Sequence, residues 1–453
     1  MDDTIIALAT AVGEASIHVI RLSGMGARDI VEKFFRPKNL KRWDSKENFT
    51  LHLGIFLDKN NISDQVLVGR MLAPGSYTGE DVYEINCHGG PLITQNILES
   101  CLKAGARLAQ PGEFSKRAFL NGKMDLIQAE AVVDLISART NNAAKLAFTQ
   151  LNGKLSDKIS NLRGKLLDIL AFIEAGIDFP EDDVEDLDRI SLEKNIEDAL
   201  QSVEKLITDS KTGKILCEGL KTIIVGKPNV GKSSLLNAIL KEDRAIVTNI
   251  PGTTRDEIRE SIIFAGILMQ LVDTAGIRAS EDLIEQMGID RTWRALENAD
   301  LILLVVEAGC PLESDDIRII QNYGSRVIVV ANKIDLLDQP LLIEPLNGEA
   351  WIPLSVTYYK GFDCLEQEIK TRVFSGDLNC LNEPLLSNVR QISALEKSGK
   401  VLSDASQALE NGFPWDIISI DIRKALQYVS EVTGDNVQED LLETIFSRFC
   451  IGK

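Results

Sequence analysis

Four blocks of the chain differ in how their apolar positions repeat. Over residues 1–118, short apolar runs bounded by glycine-rich or polar turns predict strands at 5–10, 16–22, 51–57, 65–71 and 81–87. Helical spacing at 27–35 and 91–104 adds two helices, so this block reads as a compact α+β domain. Across 119–214, apolar residues recur three and four apart, as in Ala129, Val132, Val133 and Ile136, and again in Leu162, Leu166, Leu167 and Leu170. That spacing predicts long helices with one buried stripe. Residues 215–378 return to short buried runs at 220–225, 267–272, 327–331 and 351–354, as in an α/β domain. The tail, 379–453, resumes helical spacing at 395–409, 418–432 and 440–449. Neither helical block closes on itself as a bundle. The pattern therefore predicts a multidomain α/β protein in which a discontinuous all-α domain is interrupted by an inserted domain; two separate helical modules are the alternative.

The inserted block carries its chemistry at the ends of its strands. After the run 220–225 comes Gly226-Lys227-Pro228-Asn229-Val230-Gly231-Lys232-Ser233, followed by Ser234. The glycines allow a tight turn whose N–H groups face a β-phosphate, Lys232 supplies a point charge, and the Ser233 hydroxyl suits Mg²⁺. Asp273-Thr274-Ala275-Gly276 follows the run 267–272, where the carboxylate reaches a magnesium shell through water and Gly276 offers its N–H to a γ-phosphate. The run 327–331 delivers Asn332-Lys333-Ile334-Asp335. A carboxylate at Asp335 accepts two parallel hydrogen bonds from guanine, and adenine has no such donor pair. A site built on such pairing rejects the wrong base by ~10⁴-fold, so GTP is the expected substrate. Ser355-Val356-Thr357 is the candidate base-contacting loop, with valine where alanine is usual. Alone, each motif is an ordinary turn or helix cap; in this order they describe a Ras-like P-loop GTPase.

Composition narrows the setting. At 453 residues the chain exceeds one hydrophobic core, and no apolar run reaches the ~18 residues that span a bilayer. Met1-Asp2-Asp3 lacks the basic start of a signal peptide, and seven scattered cysteines without a Cys-x-x-Cys pair suit a reducing compartment. A soluble cytoplasmic protein without a zinc or iron–sulfur site is expected. The net charge of −19 opposes independent binding to a polyanion, so a nucleic-acid partner would need a local patch or a second protein. The acidic run at 181–188 reads as a solvated loop or helix start.

Small GTPases place a water-orienting glutamine after Asp-x-x-Gly, and here Ile277 stands there. Hydrolysis is then either very slow or assisted by another group. Asn229 is placed to help hold a monovalent cation beside the phosphates, in the manner of an arginine finger, or else stabilises the loop. Residues 245–256, including Thr248, Asn249, Ile250, Pro251, Gly252, Thr253 and Thr254, read as a first switch with Thr254 as the second magnesium hydroxyl. Residues 278–286 read as the second, where Glu285 either holds the water through an intermediary or faces solvent.

Several stretches resemble one family closely. Tyr77-Thr78-Gly79-Glu80-Asp81, Cys87-His88-Gly89-Gly90-Pro91, Pro111-Gly112-Glu113-Phe114, the ten residues from Arg117 to Leu126, and the terminal Phe449-Cys450-Ile451-Gly452-Lys453 are similar to the tRNA modification GTPases of the MnmE (TrmE) family, across essentially the whole chain. The resemblance implies a folate-binding amino-terminal domain (1–118) that dimerises, a helical domain in two parts (119–214 and 379–453) and a GTPase domain (215–378). It implies potassium at Asn229, Thr248, Ile250 and Thr253, magnesium at Ser233 and Thr254, and a water-orienting Glu285. The contacts of 5-formyltetrahydrofolate or a related folate fall on Arg21, Glu84, Lys123 and Lys453. Glu84 suits a pterin edge and the cations suit a glutamate tail; from the residues alone, Arg21 and Lys123 read as solvated. The family works with a flavin-binding partner, MnmG (GidA), to build a 5-carboxymethylaminomethyl or aminomethyl group on the wobble uridine of certain tRNAs, with tRNA held mainly by the complex. Two departures stand out: the stretch 11–18 is poorer in glycine than usual, and Val356 replaces alanine. Cys450 has three readings: a prenylation site with poor flanks, a catalytic or proton-handling thiol, or a buried small residue. The contender from another class is a ribosome-assembly switch, although the chain lacks the basic RNA-binding module such proteins append.

Overall fold

The computed structural model describes residues 3–45, 47–57, 63–178, 186–242, 260–272, 293–337, 349–374, 383–435 and 439–453. The chain divides into two compact units, one of Met1–Val133, Leu151–Ala171 and Ile422–Lys453, the other of Asp134–Gln150 and Phe172–Asp421.

In the first unit, seven strands among the described residues form one sheet: β1 (Ile5–Leu8), β2 (Ala15–Ser23), β3 (Phe35–Pro37), β4 (Thr50–Leu57), β5 (Ser63–Met71), β6 (Val82–Gly89) and β7 (Arg107–Leu108). Their order is β3-β4-β5-β6-β2-β1-β7, antiparallel except for the β1–β7 pair. The short strands β3 and β7 were not predicted; both are edge strands of two or three residues, too brief for alternation to register, and Pro37 is tolerated because it sits at an edge. One face of the sheet is covered by the helices Ala27–Phe34 and Pro91–Lys103, whose Ile30, Val31, Ile97 and Cys101 join Ile20, Leu22, Val68 and Ile85 in the core. The period of two then sends alternate side chains to the opposite face. Along β4 this leaves Leu51, Leu53, Ile55 and Leu57 exposed, with Leu67 of β5 paired to Leu53. The same unit contains the helix Glu113–Leu120 and the greater part of the helix Leu126–Ser137, through Val133, and Leu126 and Ala129 pack on Leu442, Ile445, Phe446 and Phe449 near the carboxyl terminus.

In the second unit, β8 (Leu220–Val225), β9 (Glu260–Phe264), β10 (Ile267–Leu271), β11 (Leu301–Glu307), β12 (Val327–Asn332) and β13 (Ala350–Pro353) form a sheet of order β13-β12-β11-β8-β10-β9. All pairs are parallel except β9–β10. Two of these strands were not predicted. β11 is almost wholly buried and central, but it delivers no recognisable motif at its end, so nothing in the spacing singled it out. β9 alternates, with Ile262 and Phe264 buried, and is too short to stand apart.

The helices flanking this sheet in sequence meet in space. On Asp186–Glu218, the buried residues Leu192, Ile196, Ala199, Val203, Leu206 and Ser210 recur four and three apart, a heptad seam. Its partner is Val389–Glu410, with Gln391, Leu395, Ser398, Leu402, Ala405 and Leu409 buried. A Cβ on Gly399 would stand 3.2 Å from Val203 Cγ1, so the helices approach closely there. Near the inserted domain, a Cβ on Gly213 would lie 2.0 Å from the carbonyl oxygen of Leu386, which bars any larger residue. This packing selects one interrupted helical domain over two separate modules. Among the described residues no helix is long and apolar enough to cross a membrane.

Candidate functional site

The phosphate-loop residues are held by strained and close backbone. Gly226 follows β8 with φ 141°, and a Cβ there would be 2.1 Å from the Val305 carbonyl oxygen. Asn229 is exposed with φ 63°, a left-handed conformation for a residue with a side chain, while Val230 beside it is buried. Gly231 has φ 103°, and a Cβ on it would meet Asn332 Nδ2 at 2.2 Å. The helix Lys232–Glu242 then begins, with Ser233 and Ser234 in its first turn. Lys232 Nζ donates to the carbonyls of Gly226, at 2.7 Å, and of Lys227. Desolvation lowers its pKa, so a charge held here is drawn toward any anion that replaces water. Lys227 reaches sideways to Glu313 at 2.7 Å, and Glu313 also caps the helix Ser314–Tyr323.

Asn332, at the end of β12, locks this loop to the base loop. Its Nδ2 donates to the Val230 carbonyl at 2.9 Å, and its Oδ1 accepts from Val356 N–H at 3.2 Å. The amide is buried, and both its ends are satisfied. Lys333 has φ 67°, and its ammonium pairs with Glu307 at 2.7 Å. Ser355 Oγ donates to Asp335 Oδ1, and Ile334 N–H donates to the Leu354 carbonyl at 3.3 Å. Asn229, Val230, Gly231, Lys232, Asn332, Lys333, Asp335, Ser355 and Val356 thus sit at the carboxyl ends of β8, β12 and β13, in the last strand residue, the turns and the helix start found there. The candidates Thr248, Asn249, Ile250, Pro251, Gly252, Thr253, Thr254, Asp273, Thr274, Ala275, Gly276 and Glu285, and also Ile277, lie outside the described residues.

A second constellation lies on the open face of the amino-terminal sheet. Arg21 of β2 stands opposite Glu84 of β6, and its Nε and Nη2 both meet Glu84 Oε1 at 2.8 Å. Its Nη1 donates to the Gly452 carbonyl at 3.1 Å. The guanidinium lies 5.9 Å from the Tyr77 ring centre and 5.6 Å from that of Phe114. Tyr77 shares a 2.8 Å hydrogen bond with Ser115, and Phe114 N–H donates to the Lys453 carbonyl at 3.2 Å. Gly452 has φ 96°, and a Cβ on it would be 2.5 Å from the Leu8 carbonyl oxygen. Arg21 is therefore not a solvated cation: it orients Glu84 and anchors the tail. Lys123 is exposed and donates to the Pro74 carbonyl at 2.9 Å. Cys450 is exposed, which removes its reading as a buried small residue; its carbonyl accepts from Gly112 N–H at 3.4 Å.

Comparison with known sequences decides the relationship. Residues 4–123 match the family model of the GTP-binding protein TrmE N-terminus, and residues 126–450 match that of the MnmE helical domain. The chain is 59% identical over 459 aligned positions to the tRNA modification GTPase MnmE of Desulfitobacterium hafniense, covering 100% of both chains. The chain belongs to the MnmE (TrmE) family. The MnmE of Clostridioides difficile is 44% identical, again with 100% of both chains covered. Among solved structures, Aquifex aeolicus Era bound to GDP.AlF4⁻ is 26% identical over 40% of this chain and 66% of that one, with a TM-score of 0.26.

Several residues of this MnmE-family chain that shape the two constellations were not legible in the motifs. Glu307 ends the unpredicted β11 and pairs with Lys333, and Glu313 lies far from the loop it tethers. Arg117, 1% exposed, bonds Asp3 at 2.8 Å and Glu80 at 3.0 Å and stands 3.6 Å from Glu113. Arg117, Glu80 and Glu113 lie in the quoted motifs, but their mutual pairing, with Asp3 at its exposed edge, was not legible there. Burial raises the Glu113 carboxyl, but the hydrogen bond and charge of Arg107, with Arg117, outweigh it and hold the group below its usual value.

Proposed function

We propose that this GTPase couples GTP hydrolysis to modification of the wobble uridine of certain tRNAs, acting in the cytoplasm with a flavin-binding MnmG partner. The observation that carries the reading is the pairing, in one chain, of the Asn332-locked nucleotide loops with the Arg21–Glu84–Gly452 constellation. Identity to tRNA modification GTPases from end to end supports it.

On the nucleotide side, Lys232 shifts from its carbonyl partners to the phosphates, and Asp335, held by Ser355, accepts the guanine N–H pair. Magnesium fits the hydroxyls of Ser233 and Thr254. Potassium fits Asn229, whose exposed amide oxygen is the neutral hard donor such an ion takes, together with Thr248, Ile250 and Thr253. When bound, the two ions neutralise charge that develops on the phosphates. Glu285 orients the attacking water in place of the glutamine that Ile277 excludes.

On the amino-terminal side, Glu84 accepts from a pterin edge while Arg21 holds the carboxylate in place, and Lys123 and Lys453 meet the anionic tail of a formyl-tetrahydrofolate. The folate supplies the one-carbon unit. Cys450, exposed beside Gly452, is available as a proton-handling or nucleophilic group. The protein forms a homodimer, supported by the exposed row Leu51, Leu53, Ile55 and Leu57, since a contiguous apolar strip of this kind is suited to burial against a second copy. The division into 1–118, 119–214, 215–378 and 379–453 accompanies this reading, and the net charge of −19 suits tRNA contact made mainly by the complex.

Nucleoside mass spectrometry of tRNA from a deletion strain tests the whole. Loss of the modified wobble uridine is expected, and unchanged uridines would favour the ribosome-assembly alternative. Hydrolysis measured in potassium and then in sodium tests the ion: equal rates would remove Asn229 from the mechanism.

A further inference from the structure

The base loop is closed in a way the guanine motifs do not require. Ser355 and Lys360 exchange two backbone hydrogen bonds, each 3.0 Å, which tie off a short turn. Inside the turn Tyr359 has φ 54°, a left-handed backbone that a bulky side chain adopts only when its surroundings impose it. Its ring lies flat on that of Phe362, with centres 4.1 Å apart and planes 2° from parallel. Phe362 is itself fixed: it is 3% exposed, begins the helix Phe362–Phe374 and belongs to the core that contains Leu354 and Leu365. Gly361, just before Phe362 in the chain, has φ 87°, and a Cβ there would be 2.2 Å from the Pro353 carbonyl oxygen, so the chain has no room to relax on that side. The result of this closure falls on Ser355. Fully buried, it accepts from Tyr358 N–H at 3.3 Å and donates to Asp335 Oδ1.

We propose that Tyr359 is a positioning residue for guanine recognition. Its stack on Phe362 holds residues 355–360 in the conformation in which Ser355 fixes the plane of the Asp335 carboxylate. The proposal rests on the reading of Asp335 as the acceptor for the base. Guanine offers both a ring N–H and an exocyclic amine, and a carboxylate takes both only if its two oxygens stay in the plane of the base. Hypoxanthine offers the ring N–H alone and tolerates a carboxylate that rocks. Losing the stack therefore penalises guanine nucleotides more than inosine nucleotides, and Tyr359 acts through Ser355 without touching the ligand.

The test compares binding of GDP and IDP to the full chain. In Tyr359→Gly and Tyr359→Asn, both of which accept a left-handed backbone but remove the ring, the preference for GDP over IDP should fall about tenfold, the worth of one charge-assisted hydrogen bond. Tyr359→Phe keeps the ring and should keep the wild-type preference. Ring-removing variants that lower the melting temperature but leave the GDP:IDP ratio unchanged would overturn the proposal, because that is the signature of a merely structural stack. Loss of preference in Tyr359→Phe would also overturn it, by moving the effect to the hydroxyl. If the wild type itself shows no preference for GDP, it is the base-acceptor reading of Asp335 that fails, and the two failures are told apart.

Discussion

The two constellations are built by opposite means. The nucleotide loops are made of backbone: glycines that admit no Cβ at Gly226 and Gly231, left-handed turns at Asn229 and Lys333, and one buried amide, Asn332, that ties them together. The amino-terminal constellation is centred on side chains and joins segments far apart in the sequence. Arg21 meets Glu84 across 63 residues and Gly452 across 431. A phosphate is an anion without shape detail, and N–H groups on a rigid turn suit it. A flat, polar heterocycle needs particular side chains in particular orientations, and these need no sequence proximity.

The difference can be broken experimentally, and the largest effect is expected on the backbone side. Gly226→Ala places a methyl 2.1 Å from a backbone oxygen, so nucleotide affinity by calorimetry should fall by on the order of 100-fold, with the folate binding proposed for the amino-terminal domain unchanged. Loss of both activities would mean that the mutation acts on global folding and not on the loop. On the side-chain side, Arg21→Ala leaves a half-buried carboxylate without its partner. Folate affinity should fall about 30-fold or more while GTP turnover holds; a drop in turnover of the same size would couple the sites and dissolve the contrast.

A smaller effect concerns the ionic cluster of Arg107, Arg117 and Glu113. Glu113 titrates below its ordinary value of 4.5 in the folded chain, so the stability it lends is complete above that pH and is lost as pH falls through the lower folded value. Urea midpoints followed from pH 6 down to 3 should therefore drop less steeply in Glu113→Gln than in wild type. An identical slope would assign the acid sensitivity to other carboxylates. The smallest effect is expected for Val356→Ala. The Val356 contact to Asn332 is made by the main chain, and its half-buried side chain loses only its methyl branches from the packing on the core, so affinity for GDP should change by no more than about threefold. A tenfold change would show that the Val356 side chain itself shapes the base loop.

The same contrast governs what could be read in advance. The runs 220–225, 327–331 and 351–354 and the motifs after them were legible because each motif is contiguous and its glycine spacing is a local demand of backbone geometry. β11 was not, because a buried strand that delivers no motif looks like any apolar run, and with it went Glu307. Arg21 read as solvated from its own neighbourhood because alternation along β2 says only that it faces away from Ile20 and Leu22, not that Glu84 waits across the ladder. Only the resemblance to a family pointed to it. For Lys123, by contrast, the plain reading of an exposed cation agrees with its exposure here. The stack of Tyr359 on Phe362 was beyond reach for another reason: a left-handed tyrosine contradicts local preference, and only the finished core around Phe362 makes it tenable.

The close approach of Gly213 to Leu386 bears on the order in which the chain can fold. The two positions are 386 − 213 = 173 residues apart, and nearly all of the intervening chain is the inserted domain. Closing so long a loop in an unfolded chain is slow, although its entropic cost grows only logarithmically, by about 0.6 kcal/mol per doubling of length. A GTPase domain that has already folded converts that loop into a short bridge and delivers both ends to the same place. In a chain whose inserted domain folds first, the heptad seam between Asp186–Glu218 and Val389–Glu410 then has only that bridge to close.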